Sequence, residues 1–213
     1  MKILAVELSS ENRSVALLDN GELAGHAAEA GGRRVIGLVE DALKQAGWER
    51  EAVETIALGL GPGSYTGIRG AISFAQGWQL GRDVRLLGLS SVDCLVTQAA
   101  SEKITGPVNI VIDAQRNEFY LARFLLGSGG PQVVEPLRLA ALAEIEKLSA
   151  AGEKIIGPDI HPWFPNAHNI YPSAASLGAL AETRSNFISG DKLEPIYLRE
   201  TAFKKAPPSR IIP

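Results

Sequence analysis

An internal repeat constrains the fold of this chain more than any other feature of its sequence. The stretches LAVELSSENRSVALL and IVIDAQRNEFYLARF align without a gap, which pairs Glu7 with Asp113 and Ala16 with Ala122. Each stretch has the pattern of an apolar strand, a short polar turn and a second strand, with an acidic residue near the end of the first strand. Because the same hairpin opens both halves, we expect two similar lobes with a cleft between them.

The pattern of apolar residues predicts the elements of the first half in the order βββαβαβα. Strands are expected over 2–8, 14–18, 21–29, 53–60 and 84–88, with helices over 33–46, from the glycine-rich stretch to about 80, and from Ser90 onward. The polar stretch SEKITGP then has the composition of a linker. It divides the chain into an N-terminal lobe, 1–104, and a C-terminal lobe, 105–213, which carries a basic tail.

The second half is expected to continue its hairpin with a helix over 136–148, a strand near 153–157 and a helix over 173–187. Together the two halves predict an α/β protein in which each lobe is a mixed sheet with flanking helices.

Composition, net charge and the single cysteine indicate an ordinary globular protein. The 213 residues are 46% hydrophobic and 21% charged, which is enough to bury a core, and the net charge of -3 gives no overall attraction to nucleic acid. The single cysteine, Cys94, has no disulfide partner and is expected to be a buried small residue. The amino-terminal apolar run breaks at Glu7, too early for a signal sequence or a membrane span, so we expect a cytoplasmic protein.

The stretch LGLGPGSYTGIRGAISFAQG predicts a strand, a tight loop and a helix, and backbone N–H groups at such a helix start attract anions. It lacks the Lys-Ser/Thr ending of a P-loop and the glycine spacing of a dinucleotide site, so a turn that needs small residues is an equal alternative. An acidic residue after a first strand, followed by hydroxyl residues, is what duplicated actin-like kinases use to hold magnesium and phosphate. The candidate phosphate or nucleotide loop is therefore Glu7, Ser9, Gly61, Gly63, Ser64 and Asp113.

Two alternatives follow for the carboxylates. Either Glu7 and Asp113 serve a small actin-like ATPase or phosphotransferase, or both cap their hairpins at a solvated lobe edge. A zinc or iron site is not expected, because His26, His161 and His168 are scattered without helical spacing.

Two helices of the first half indicate a surface for a partner. The helix over 33–46 carries an apolar stripe and, in addition, apolar residues on a second flank at Ile36 and Leu43. One face of a helix cannot hold all of these apolar side chains. The other is nearly bare because of its glycines and alanines, so another helix can approach it closely. If the helices are not simply packed in the core, they bind a partner through Val35, Leu38, Val39, Ala42, Ile68, Ala71, Ile72 and Ala75.

Five stretches in order along nearly the whole chain resemble the bacterial TsaB (YeaZ) family: ILAVELSSENRSVALL, GLGPGSYTGIRGAISFAQGWQL, LLGLSSVDCL, DAQRNEFYLARF and EPIYLRETAFKK. The resemblance implies a duplicated actin-like (ASKHA) two-lobe fold. It further implies a non-catalytic scaffold and activator that pairs with TsaD, the subunit that transfers the threonylcarbamoyl group to the adenosine beside the anticodon in tRNA. The implied partners include the ATPase TsaE, and tRNA reached through the complex. Apart from the resemblance, the exposed apolar flank of the first-half helices predicts a homodimer when the chain is alone.

The resemblance also carries limits. The catalytic relative holds its metal with paired histidines on the first-lobe helix, whereas the corresponding helix of this chain has none. The resemblance therefore implies neither transferase chemistry nor a cofactor of the chain's own. ATP or ADP is expected only at the partner interface. Glu7-Leu8 stand where the family commonly has Asp-Thr, and Arg34-Val35 where it usually has His-Ser. The tail residues Arg199, Lys204, Lys205 and Arg210 are expected either to reach a partner or tRNA phosphates, or to be solvated.

Overall fold

The computed structural model of the chain describes residues 1–32 and 34–198. The first half contains β1 (Lys2–Glu7), β2 (Asn12–Asp19), β3 (Glu22–Ala30), α1 (Val35–Ala46), β4 (Thr55–Gly59), α2 (Tyr65–Gly81), β5 (Arg85–Leu89) and α3 (Ser91–Ser101). The second half contains β6 (Gly106–Asp113), β7 (Glu118–Leu126), β8 (Gln132–Ala141), α4 (Leu142–Ala150), β9 (Ile155–Gly157), β10 (His168–Asn169) and α5 (Ala174–Glu182). The predicted order βββαβαβα of the first half is confirmed.

The two sheets have the same topology. Their strand orders are β3-β2-β1-β4-β5 and, read from the other edge, β8-β7-β6-β9-β10. In each sheet the central strand pairs antiparallel with the next strand of its hairpin and parallel with the fourth strand, β1 with β4 and β6 with β9. The duplication expected from the internal repeat is therefore present at the level of the sheets.

The ungapped alignment nevertheless pairs side chains that point to different faces. In β1, Leu4 and Val6 pack in the core beneath α1 and α2, so Glu7 lies on the opposite face, which α5 covers. In β6, Ile110 and Ile112 pack in the core beneath α3, whereas Val111, two residues before Asp113, packs in the core that contains α4. The helices α1 and α4 are equivalent, because each follows the third strand of its sheet. Glu7 lies on the face opposite α1, whereas Asp113 lies on the same face as α4, so the two carboxylates lie on non-equivalent faces. A shift of one residue exchanges the faces of a strand.

Two helices exchange lobes. The apolar side of α3 packs on the second sheet, through Leu95 and Val96 among others, although α3 belongs to residues 1–104. Conversely, α5 packs on the first sheet through Ala174, Leu177 and Ala181. The expected division at 104/105 thus separates the sheets but not the helices that cover them.

The chain after α5 also returns to the first sheet. Ile188 forms a bridge with Leu86 of β5, and the Ile196 N–H donates to the Leu60 carbonyl at 2.8 Å. Residues that were assigned to the C-terminal lobe therefore complete the first one. The helices of the described residues include none long and apolar enough to cross a membrane.

The helix expected over 136–148 begins only at Leu142, because residues 136–141 belong to the edge strand β8. β10, which has two residues, was not expected from the sequence either. In β8 both faces are partly covered, so its apolar residues do not alternate strictly and the pattern resembles a helix. Cys94 is buried as expected, and its thiol donates to the Ser173 carbonyl at 3.1 Å.

Candidate functional site

The glycine-rich loop between β4 and α2 packs directly on the turn between β1 and β2. The Ser64 N–H donates to the Ser9 carbonyl at 2.7 Å. A Cβ atom at Gly63 would lie 2.1 Å from the Ser9 carbonyl oxygen, and one at Gly67 would lie 1.9 Å from that of Leu8. Both glycines are therefore required for the close approach of two backbone segments, and Gly63 also has a φ of +148°.

Glu7 is buried at the junction of three elements. Its carboxylate accepts the Ser9 N–H at 2.8 Å and the Ser91 hydroxyl at 2.9 Å. The same Ser91 oxygen accepts the Gly61 N–H at 3.2 Å, which links β1, the glycine loop and the start of α3. Burial raises the pKa of the Glu7 carboxyl, although the hydrogen bonds from Ser9 and Ser91 oppose the rise.

A cleft of about 900 Å³ lies between the lobes. The residues that line it come from the β1–β2 turn and the start of α2 in the first half, and from the β6–β7 hairpin in the second half. The structure brings four of the predicted loop residues, Ser9, Gly63, Ser64 and Asp113, to this cleft, whereas Glu7 and Gly61 do not line it.

The residues present do not fit a magnesium–phosphate site of the actin-like kind. Glu7 is fully buried and is occupied by donors from its own lobe. Asp113 accepts the Gln115 N–H at 2.7 Å, so this carboxylate caps its own hairpin. The N–H groups of Gly61 and Ser64 are also bound within the chain. The hairpin-cap alternative for Asp113 agrees with this geometry, but Glu7 caps its turn from within the core and not at a solvated edge.

Aromatic side chains line the cleft instead. Tyr65 and Tyr197 stack with ring centroids 5.7 Å apart, although one begins α2 and the other follows the chain's return to the first lobe. Tyr120 and Trp163 come from the second lobe, where the Trp163 ring packs edge-on against Phe119. No motif in the sequence connects these four residues, because they are scattered over more than half of the chain and only the fold brings them to one cleft.

The predicted partner-interface residues lie mostly in the core of the first lobe. Seven of them are buried in one cluster: Leu38, Val39, Ala42, Ile68, Ala71, Ile72 and Ala75. Val35 is partly buried against the same cluster. These side chains hold α1 and α2 on the first sheet, so a protein that docks on these helices meets their opposite faces.

The outer face of α2 is bare. A Cβ atom at Gly70 or Gly77 would meet no other atom within 4 Å, and Ser73 is exposed between them. Leu80 at the end of the helix is 92% exposed. On α1, Ile36 is 55% exposed, which agrees with its assignment to a second apolar flank, whereas Leu43 of that flank is buried.

The three histidines are exposed, on β3, in the segment after β9 and in β10. Within residues 1–32 and 34–198, no group of three or more His, Cys, Asp or Glu side chains is arranged to hold a metal ion. The tail cations, Arg199, Lys204, Lys205 and Arg210, lie outside the described residues.

Comparison with known proteins identifies relatives over nearly the whole chain. The family TsaD, tRNA N6-adenosine threonylcarbamoyltransferase, matches residues 23–186. The tRNA threonylcarbamoyladenosine biosynthesis protein TsaB of Escherichia coli is 28% identical over 97% of this chain and 99% of its own length. The TsaB protein of Haemophilus influenzae is 27% identical over 97% of this chain and 98% of its own.

Solved structures with a similar fold are also described as YeaZ or as similar to it. YeaZ from Pseudomonas aeruginosa superimposes with a TM-score of 0.77 and 26% identity over 92% of this chain and 99% of its own. A second crystal structure, of a protein with similarity to the peptidase YeaZ from Pseudomonas aeruginosa, superimposes with a TM-score of 0.78 and 28% identity over 93% of this chain and 99% of its own. With the matching sheets, these structures confirm the duplicated actin-like two-lobe fold.

Proposed function

This chain belongs to the TsaD family, in its TsaB (YeaZ) branch, and takes part in tRNA threonylcarbamoyladenosine biosynthesis; we propose that it does so as a non-catalytic subunit that binds and activates TsaD. TsaD would transfer the threonylcarbamoyl group to the adenosine beside the anticodon in tRNAs that read codons starting with A. This chain would supply a folded surface and no reacting group. The proposal places it in the cytoplasm, with tRNA.

The observation that carries the proposal is the bare outer face of α2. Gly70, Ser73 and Gly77 present almost no side chain there, and the exposed Leu80 lies at the end of the same helix. Exposed helix glycines lower the stability of a lone helix, but they let a second helix approach closely. A helix of TsaD packed on this face would bury Leu80 and the α2 backbone together.

The chemistry of the described residues agrees with a subunit that lacks catalysis. α1 has no histidine, and the two carboxylates of the ATPase alternative are separated: Glu7 is buried, whereas Asp113 caps a hairpin at the cleft. The geometry of residues 1–32 and 34–198 therefore gives no support to the ATPase alternative. We therefore propose that ATP or ADP, where the complex needs it, binds at the TsaD interface or to the ATPase TsaE.

The same α2 face offers a surface for self-association when TsaD is absent. A homodimer would then compete with the heterodimer, because both would cover Gly70, Ser73 and Gly77. We propose that TsaE joins the TsaD pair afterwards, and that tRNA reaches this chain only through the complex.

Reconstitution tests the proposal. Purified chain is mixed with TsaD, TsaE, threonylcarbamoyl-adenylate synthase, threonine, bicarbonate, ATP and unmodified tRNA, and the modified nucleoside is measured. We expect product only when the chain is present, together with a TsaD complex on size-exclusion chromatography. Full product without the chain, or no complex with TsaD, would contradict the proposed role.

A further inference from the structure

We propose that a second cavity, on the opposite face of β2 from the cleft between the lobes, binds a small primary amine in its ammonium form. This rear pocket has a volume of about 280 Å³ and is lined by Asn12, Ser14, His26, Ala28, Gln98, Glu102 and residues 169–173. The proposal goes beyond the proposed function and does not depend on it.

The rear pocket exists because α5 covers only part of its sheet. Across β2 and β3, Ser14 pairs with Ala28 and Ala16 with His26, so all four side chains lie on one face. α5 packs on this face over Ala16, whereas Ala28 and His26 on the edge strand stay exposed. Successive residues of a strand point to opposite faces, so Arg13 lines the cleft between the lobes and Ser14 lines the rear pocket. The two cavities are therefore separate sites.

Hydrogen bonds within the chain hold the walls of the rear pocket in place. The Ala174 N–H donates to the Ser14 hydroxyl at 2.8 Å, and the Ser176 hydroxyl donates to the side-chain oxygen of Gln98 at 2.6 Å. The side-chain amide of Gln98 in turn donates to the Glu102 carboxylate at 3.0 Å, which orients this carboxylate at the end of α3. A pocket with fixed walls loses little conformational entropy when a ligand binds.

The charge of the rear pocket selects a cation. Among the described residues that line it, Glu102 carries a negative charge and none is a lysine or an arginine, so an anion would find no countercharge there. The Tyr171 hydroxyl donates to the Asp159 carboxylate at 2.6 Å, and this hydrogen bond raises the pKa of the phenol. A second carboxylate therefore lies directly behind the wall of the pocket.

Three polar groups of the rear pocket are available to an ammonium ion. Within residues 1–32 and 34–198, the second carboxylate oxygen of Glu102, the Asn12 side-chain amide and the His26 imidazole take part in no hydrogen bond. An ammonium group has three N–H donors for such acceptors, and the half-buried Tyr171 ring offers a face to a cation. Sites for drug-sized ligands measure roughly 300–1,000 Å³, so this smaller pocket suits a small amine.

NMR titration of the full chain, alone, tests the proposal. The probe is aminobutanol, with an ammonium at one end and a hydroxyl at the other, and butanediol, with a hydroxyl at each end, is the matched neutral ligand. Glu102→Gln removes the charge but keeps an oxygen for the Gln98 amide. Ala28→Leu fills the floor of the rear pocket without removing a polar group. Glu146→Gln, which removes an exposed carboxylate from α4, is the control variant. Thermal unfolding verifies that each variant is folded.

We expect aminobutanol to cause saturable shifts of the amide signals of β2, β3 and the end of α3, and butanediol to bind about tenfold more weakly or not at all. Glu102→Gln and Ala28→Leu should each weaken the binding of aminobutanol about tenfold or more, whereas Glu146→Gln should bind it like the wild type.

The proposal would be overturned by the absence of saturable amine binding, by equal binding of the amine and the diol, or by an equal loss in Glu146→Gln. Unchanged affinity in Glu102→Gln or in folded Ala28→Leu would also overturn it. Because the titration involves neither TsaD nor tRNA, reconstitution still decides the proposed function independently of this result.

Discussion

Glu7 and Asp113 hold the same place in the sequence repeat, yet their carboxylates lie on non-equivalent faces of their sheets. Each accepts the N–H two residues further along, from Ser9 at 2.8 Å and from Gln115 at 2.7 Å. Glu7 is fully buried beside Ser91, whereas Asp113 lines the cleft between the lobes. Similar local turns therefore occur in two different environments, and of the two carboxylates only that of Asp113 lies at the cleft.

The burial of Glu7 predicts a pH-dependent stability. Burial raises the pKa of its carboxyl above the ordinary value of 4.5, so the folded state retains a proton that the unfolded state has lost. The contribution of Glu7 to stability is thus fully present below pH 4.5 and is lost as the pH rises through the raised pKa. Urea unfolding across acidic and neutral pH should show the wild type losing free energy of unfolding relative to Glu7→Gln, and a constant difference would contradict this.

Two glycines of α2 predict opposite effects of the same substitution. Gly67→Ala would place a Cβ atom 1.9 Å from the Leu8 carbonyl oxygen, which we expect to cost about 1–3 kcal/mol or more because two backbones must separate. Gly77→Ala adds a methyl group in open space and should stabilise the chain by about 1 kcal/mol through helix propensity. Urea unfolding of both variants measures the difference, and equal effects would show that the loop does not pack as described.

The exchange of helices predicts that α5 stabilises the first lobe. Leu177→Ala removes a fully buried side chain that packs against the first sheet, which we expect to destabilise the protein by about 2–5 kcal/mol. Amide exchange should become faster in β1 and β4, from the first half of the chain, as well as in α5. Leu80→Ala, at a 92% exposed position, is the control and should leave both exchange and stability almost unchanged.

The two faces of α2 predict different consequences for an introduced charge. Ser73→Arg alters the exposed face and should leave the chain folded while weakening its complex with TsaD by tenfold or more, since a charge would be buried on binding. Ala71→Arg alters the core and should unfold the first lobe before any effect on binding is measured. Val134→Arg on the second lobe, at a 63% exposed residue, is the matched control.

A folded Ser73→Arg protein that binds TsaD as tightly as the wild type would show that the outer face of α2 is not the interface. Circular dichroism and size-exclusion chromatography of the three variants separate loss of binding from loss of fold.

Local patterns in the sequence predicted the elements of the first half well. Apolar spacing identified α1 and α2, and the glycine stretch identified the loop between β4 and α2. In the second half, the apolar pattern of residues 136–141 predicts a helix where the structure has the end of β8, because an edge strand with two partly covered faces lacks strict alternation. Apolar periodicity reports that a helix has a buried face but not which sheet or partner covers it. The exchange of α3 and α5 was therefore not predicted, and packing of Ala71 in the core was only one of two alternatives.

By itself, the sequence determined that the chain contains two related halves, the order of the first eight elements and the family resemblance, because each depends on short stretches of contiguous residues. Only the tertiary structure decided that Glu7 is buried, that Gly63 and Gly67 serve backbone contact, and that Tyr65, Tyr120, Trp163 and Tyr197 share a cleft. The physical reason is that these properties arise between residues far apart in the chain. A side chain's local pattern is the same whether its neighbour in space is solvent, another lobe or a ligand.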